Sequence, residues 1–178
     1  MGKSLSKLLL ILGICCLLFA TYLIWQRNNP SRLSFAIDHI NYEITNGKNN
    51  PTKLIIKDLE LELPIYPASL DNGKWQATTQ GVSYLVSSIQ PGELGNSILY
   101  GHNWPNLLGK LHKVKPGGEI TIVFADASEK NFTIEYTSVV TPDQTHILNP
   151  TDDRRLTLYT CTGIFDNKRF VVTAVNKS

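Results

Sequence analysis

The chain has 178 residues, with nine prolines, twelve glycines and three cysteines, enough for one compact domain with an appendage and too few for two full domains. Lys and Arg total 17 against 15 Asp and Glu. The basic residues are scattered without a stripe or dense cluster, which excludes the footprint of a nucleic-acid-binding surface. There is no glycine-rich phosphate loop and no ligand set at zinc spacing, so neither a cofactor nor a metal is implied.

Met1 to Lys7 forms a short basic segment, and Leu8 to Trp25 is continuously apolar or small. A run of about 18 residues suffices to cross a hydrocarbon core as a helix. A cleaved signal peptide is the competing reading, but its apolar stretch is shorter and ends in small residues, whereas Phe19-Ala20-Thr21-Tyr22 is a poor cleavage site. Lipid attachment at Cys15 or Cys16 is disfavoured because Ile14 and Cys15 stand where a small residue is required. The run 8–25 is therefore expected to be an uncleaved transmembrane anchor, with Tyr22 and Trp25 at the interface. Lys3 and Lys7 precede it and Arg27 and Arg32 follow it; the free amino terminus favours an N-terminus on the cytoplasmic side of the plasma membrane and a domain outside the cell.

Residues 26–52, rich in Asn, Ser and Gly, read as a linker or N-terminal extension with short structure near Phe35 to Ile44. From residue 53 to the end, short apolar runs alternate with turn residues: Leu54 to Ile56, Leu59 to Ile65, Ser83 to Ile89, Ser97 to Tyr100, Glu119 to Phe124, Asn131 to Val140, Arg155 to Thr160 and Phe170 to Val175. Eight such runs predict an all-β barrel or sandwich. Helical spacing is confined to a turn or two near Gly73 to Gln80 and to Leu107, Leu108, Leu111 and Val114, where Lys115-Pro116-Gly117-Gly118 stops it.

With Cys15 and Cys16 in the span, Cys161 is the one thiol of the domain, so no disulfide forms within it. It is either a buried small hydrophobe or a reactive thiol. Strand order bears on the choice. If 155–160 and the strand opened by Arg169 form an antiparallel hairpin, Cys161 and Arg169 become neighbours at one rim. A guanidinium there would lower the thiol pKa or hold an oxyanion; the bland alternative is an ion pair of Arg169 with Asp166 or Asp153. A base is also needed. His39, His102, His112 and His146 are candidates, and spacing alone does not choose among them, although His102 ends a predicted strand just after Gly101. Asp152 to Arg155 reads as a solvated loop with local pairing.

Thr157-Leu158-Tyr159-Thr160-Cys161 resembles the Thr-Leu-x-Thr-Cys signature of sortases, cell-surface cysteine transpeptidases. Pro91 to Asn96 leading into Tyr100-Gly101-His102 is similar to that family's approach to its histidine, Leu111 to Ile122 resembles the segment that follows, and Arg169 matches its third catalytic position. The resemblance spans about Leu59 to Val175 and implies an eight-stranded sortase-type β-barrel with one or two short helices. It also implies Cys161 as nucleophile, His102 as acid and base, and Arg169 as oxyanion stabiliser. Thr160, Asn103 and Trp104 are candidate substrate contacts, and the bland readings are an ordinary strand threonine and a packing tryptophan. The implied partners are a surface-protein sorting signal of the Leu-Pro-x-Thr-Gly kind and an amine acceptor such as a cell-wall precursor or pilin lysine. A hydrolysing cysteine endopeptidase of the same fold and a non-catalytic β-barrel ectodomain are the rival readings.

Overall fold

The computed structural model describes residues 2–27, 29–37, 49–71 and 74–177. His39, Gly73 and the stretch 38–44, all named above, lie outside them. Helix α1 runs Gly2–Arg27, and Ser6–Gln26 within it is long and apolar enough to cross a membrane, with none of its apolar window buried against the rest of the protein.

The strands follow as β1 (Pro51–Ile56), β2 (Leu61–Ala68), β3 (Leu70–Asp71), β4 (Lys74–Trp75), β5 (Val82–Leu85), β6 (Gly95–Gly101), β7 (Glu119–Phe124), β8 (Glu129–Val140), β9 (Arg154–Thr162) and β10 (Lys168–Val175). Eight close a barrel in the order β1, β2, β5, β6, β9, β10, β8, β7, and β3 with β4 forms a separate two-stranded hairpin. The eight barrel strands coincide with the eight apolar runs. Pairings β2–β5 and β6–β9 are parallel and the others antiparallel.

The helical expectations are met only in part. Leu108–Lys113 is a 3-10 helix, whose period of three stacks Leu108, Leu111 and Val114 on one buried side. Residues 74–80 hold β4 and irregular chain instead of a helical turn. Tertiary packing decides this: the buried Trp75 ring meets Tyr100 edge-on at 5.4 Å and Tyr159 at 6.4 Å, contacts worth more than a weak local preference.

Strands β6 and β9 are buried on both faces, because two cores meet across them. The inner core fills the barrel and takes Leu99, Leu156, Leu158 and Val172. The outer core takes the alternate residues Ile98, Tyr100, Tyr159, Cys161 and Val171, with Leu33, Phe35 and Trp75 laid over them. Tyr100 and Tyr159, paired in register, stack at 5.4 Å with ring planes 14° apart.

Candidate active site

Two registers position the site. Parallel pairing of β6 with β9 sets Gly101 beside Thr160, which brings the next residues, His102 and Cys161, level with one another on adjacent strand ends, about 4.8 Å being the strand spacing. Antiparallel pairing sets Arg169 of β10 directly opposite Cys161. Residues that pair in these ways project from the same face, here the outer one. Cys161 thus lies opposite Arg169 on β10 and level, along the backbone, with the residue that carries the imidazole, and the hairpin inferred from the sequence is present.

Each neighbour is held locally. His102 is buried and stacks on Trp104, with ring centroids 4.6 Å apart and planes at 14°. The loop that carries both folds back through Leu108 N–H donating to the His102 carbonyl at 3.1 Å and Gly109 N–H donating to the Trp104 carbonyl at 2.9 Å. A Cβ on Gly109 would lie 2.6 Å from that Trp104 oxygen and 2.8 Å from the Asn103 oxygen, both backbone atoms. Gly109→Ala is therefore expected to cost about 1–3 kcal/mol in urea unfolding, because the crowded atoms have nowhere to retreat.

Thr160 hydroxyl donates to the Gly101 carbonyl at 2.7 Å, clamping β9 to β6 one residue before the thiol. In Thr160→Val this bond is lost with little change of shape, and a loss of about 1–3 kcal/mol of stability is expected from the same measurement. Asn103 is exposed, and its side-chain N–H donates to Asp166 Oδ1 at 3.0 Å. A cleft of about 150 Å³ beside Cys161 is lined by Asn103, Leu108, His112, Thr160 and Phe170 among others. Trp104 is not among its lining residues; it packs on His102 and the inner core. Of the other histidines, His112 is exposed with Nδ1 3.0 Å from the Gly109 carbonyl, and His146 lies on the exposed side of the 3-10 turn Thr145–Leu148.

The thiol is not at an open rim. The segment Pro30–Phe35, whose first four residues form a 3-10 turn, lies across it as a strap. Cys161 Sγ donates to the Arg32 carbonyl at 2.8 Å, Tyr159 hydroxyl to the Leu33 carbonyl at 3.0 Å and Arg169 Nη2 to the Ser34 carbonyl at 2.7 Å. Leu33 and Phe35 are buried; the Phe35 ring meets Tyr159 edge-on at 5.0 Å and lies 5.9 Å from the Arg169 guanidinium carbon. Arg32 Nη1 forms an ion pair with Asp166 Oδ2 at 2.6 Å.

Both sequence alternatives for an Arg169 ion pair are thereby accounted for. Asp166 gives its carboxylate to Arg32 and Asn103, and Asp153 gives its own to Arg155 at 2.7 Å. Among the described residues, the hydrogen bonds of Arg169 go to backbone carbonyls, at Asp166, Lys168 and Ser34, and its buried Nε–H has no acceptor there. Burial pushes the Cys161 thiol up to about 12; the Arg169 charge pulls it partly back, Asp166 adds to the rise and Arg32 opposes it. With the strap docked, the sulfur is a neutral thiol at physiological pH.

The comparison with known families turns on this same stretch of chain: residues 54–177 match the profile described as the Sortase domain. The chain belongs to the sortase family. It is 27% identical over 124 residues to Sortase A of Bacillus anthracis, in a match that takes in 67% of this chain and 56% of that relative, so this sortase spans little more than half of that protein's length. Among solved structures, its fold is similar to a lid mutant of sortase A from Corynebacterium diphtheriae (TM-score 0.62, 23% identity, 75% of this chain and 73% of that one). Sortase C-1 from Actinomyces oris is similar to the same degree (TM-score 0.62, 24% identity, 72% and 75%).

Sequence reasoning named Arg32 only as a charge beyond the apolar run, Phe35 only as the start of short structure and Asp166 only as an ion-pair alternative for Arg169; Leu33 was not singled out, and the strap they form in this sortase was not foreseen. The strap residues sit in a polar stretch, and the side chains that hydrogen-bond or ion-pair with them lie more than a hundred positions away.

Proposed function

We propose that this sortase is a cysteine transpeptidase anchored by α1, with its N-terminus cytoplasmic and its barrel on the outer side of the plasma membrane. Its substrate is a sorting signal of the Leu-Pro-x-Thr-Gly kind in a surface protein. The Cys161 sulfur, as thiolate, attacks the scissile carbonyl carbon. As the C–N bond breaks, His102 gives a proton to the departing amine and a thioester is left on Cys161. An incoming amine, such as that of a cell-wall precursor or a pilin lysine, gives its proton to His102 and attacks the thioester. The C–S bond then breaks and a new amide bond remains.

The observation that supports this reading best is the register: a cysteine level with a histidine on one side and opposite an arginine on the other. In the proposed mechanism Arg169 Nε–H, a buried donor beside the sulfur, meets the developing oxyanion. Removing such a donor commonly lowers turnover about 10²–10³-fold, which is the drop expected for Arg169→Gln.

The test is a product assay on the detergent-solubilised full chain with a Leu-Pro-x-Thr-Gly peptide, with and without triglycine as amine. A triglycine adduct as main product, together with a Cys161 thioester seen in the intact mass, is the expected result. Hydrolysed peptide alone at high amine concentration would make the protein an endopeptidase. A folded chain that forms no Cys161 adduct with any of a diverse set of such peptides would leave the non-catalytic ectodomain.

A further inference from the structure

The loop between β9 and β10 carries two apolar side chains that nothing in the domain covers. Ile164 is 77% and Phe165 74% exposed, more than any described large apolar side chain of α1, where Leu17 is highest at 69%. The backbone holds them out: Phe165 and Asp166 both have left-handed φ, 55° and 59°, a conformation non-glycine residues adopt only at a cost.

The place of this tip is set by the strap. Asp166, next to Phe165, is ion-paired with Arg32 at 2.6 Å. Arg32 is five residues beyond Arg27, where α1 ends. Five residues reach at most about 18 Å. With the strap docked, Asp166 is thus tied within that distance, plus the reach of the paired Arg32 and Asp166 side chains, of the end of a helix whose apolar stretch closes at Gln26. The polar interfacial layer outside a hydrocarbon core is itself about 5–7 Å deep. Exposed Lys168 lies beside the tip and suits an anionic lipid surface, and the Asp166 charge is neutralised by Arg32.

We propose that Ile164 and Phe165 insert into the interfacial layer of the membrane entered by α1, giving the docked domain a second hold on the bilayer and turning the mouth beside Cys161 towards the lipid surface. The proposal rests on α1 being the anchor and is independent of whether Cys161 is a nucleophile.

The full chain is reconstituted in vesicles of phosphatidylcholine and phosphatidylglycerol, with or without brominated acyl chains that quench nearby tryptophan. Of the three native tryptophans, Trp75 and Trp104 pack within the domain, and the quenching lost in Trp25→Phe reports on α1 as the signal of Trp25. Phe165→Trp adds a reporter at the tip, and Leu94→Trp, also exposed at 64%, adds one before β6, at the opposite end of the barrel. The expected result is at least twofold quenching of the emission added by Phe165→Trp and none of that added by Leu94→Trp. An unquenched tip with Trp25 quenched overturns the insertion while leaving the anchor. Equal quenching at both added sites overturns it too, since the domain would then be lying on the bilayer without preference for the tip. Unquenched Trp25 removes the anchor and the proposal with it.

Discussion

Cys161→Ala is expected to lower turnover of a sorting-signal peptide by about 10⁴-fold or more, to the uncatalysed level, because removing a nucleophile removes the covalent route and not merely one contribution to it. The loss should fall on kcat. Peptide affinity should stay within a few-fold, since the methyl left in place of the thiol touches the same walls. The substitution also takes away the Sγ–H to Arg32 hydrogen bond and should loosen the strap slightly, so any effect on binding is in the favourable direction. Residual turnover within tenfold of the unsubstituted chain, in a protein whose urea midpoint is unchanged, would rule out Cys161 as the nucleophile.

Loosening the strap should have the opposite sign. In the doubly substituted chain Leu33→Ala, Phe35→Ala, two buried side chains of the outer core are truncated, each costing the docked state about 2–5 kcal/mol. Undocking exposes the thiol and returns it from about 12 towards its ordinary 9.0. At neutral pH each unit of that fall raises the thiolate fraction tenfold, so alkylation of Cys161 by iodoacetamide should accelerate up to about 10³-fold. Intact mass after timed quenching reads this directly, with Cys15 and Cys16 replaced by serine so that a single site is counted. Unchanged alkylation in a folded chain would show that the strap does not limit access.

The same shift gives the unsubstituted chain a pH dependence of definite sign. Docking holds the thiol neutral, its docked pKa lying above the undocked one. The strap therefore receives its full support below about pH 9 and loses it progressively as the pH rises from 9 towards 12. The alkylation rate should climb more steeply over that interval than thiolate formation in a free cysteine would dictate.

The barrel was legible in the sequence because each of its strands is an apolar, β-branched run closed by turn residues, and all eight runs became barrel strands. The candidate site was legible as far as local pairing reaches. A short loop between Thr162 and Lys168 forces Cys161 and Arg169 together whatever the rest of the fold does. The partnership with His102 depends on β6 lying parallel to β9, which no local pattern specifies; there the family resemblance supplied what spacing did not. The second core was invisible for a related reason. Tyr100 and Tyr159 read as strand residues of either face, and the chain that covers them, Leu33 and Phe35, carries too few apolar residues to announce a packed element. The hairpin of β3 and β4 was missed because two-residue strands have no period.

The parallel union of β6 with β9 also has a kinetic side. Its members are separated by more than fifty residues of chain, and contacts of that range form late because a large loop must close before any of them is made. The hairpin of β9 and β10 can form on its own, but Cys161 gains its histidine neighbour and its cover only after the long loop has closed. During refolding the sulfur should therefore stay reactive while much of the sheet is already in place, and pulse alkylation at successive times would use this one atom as a clock for the last stage of assembly.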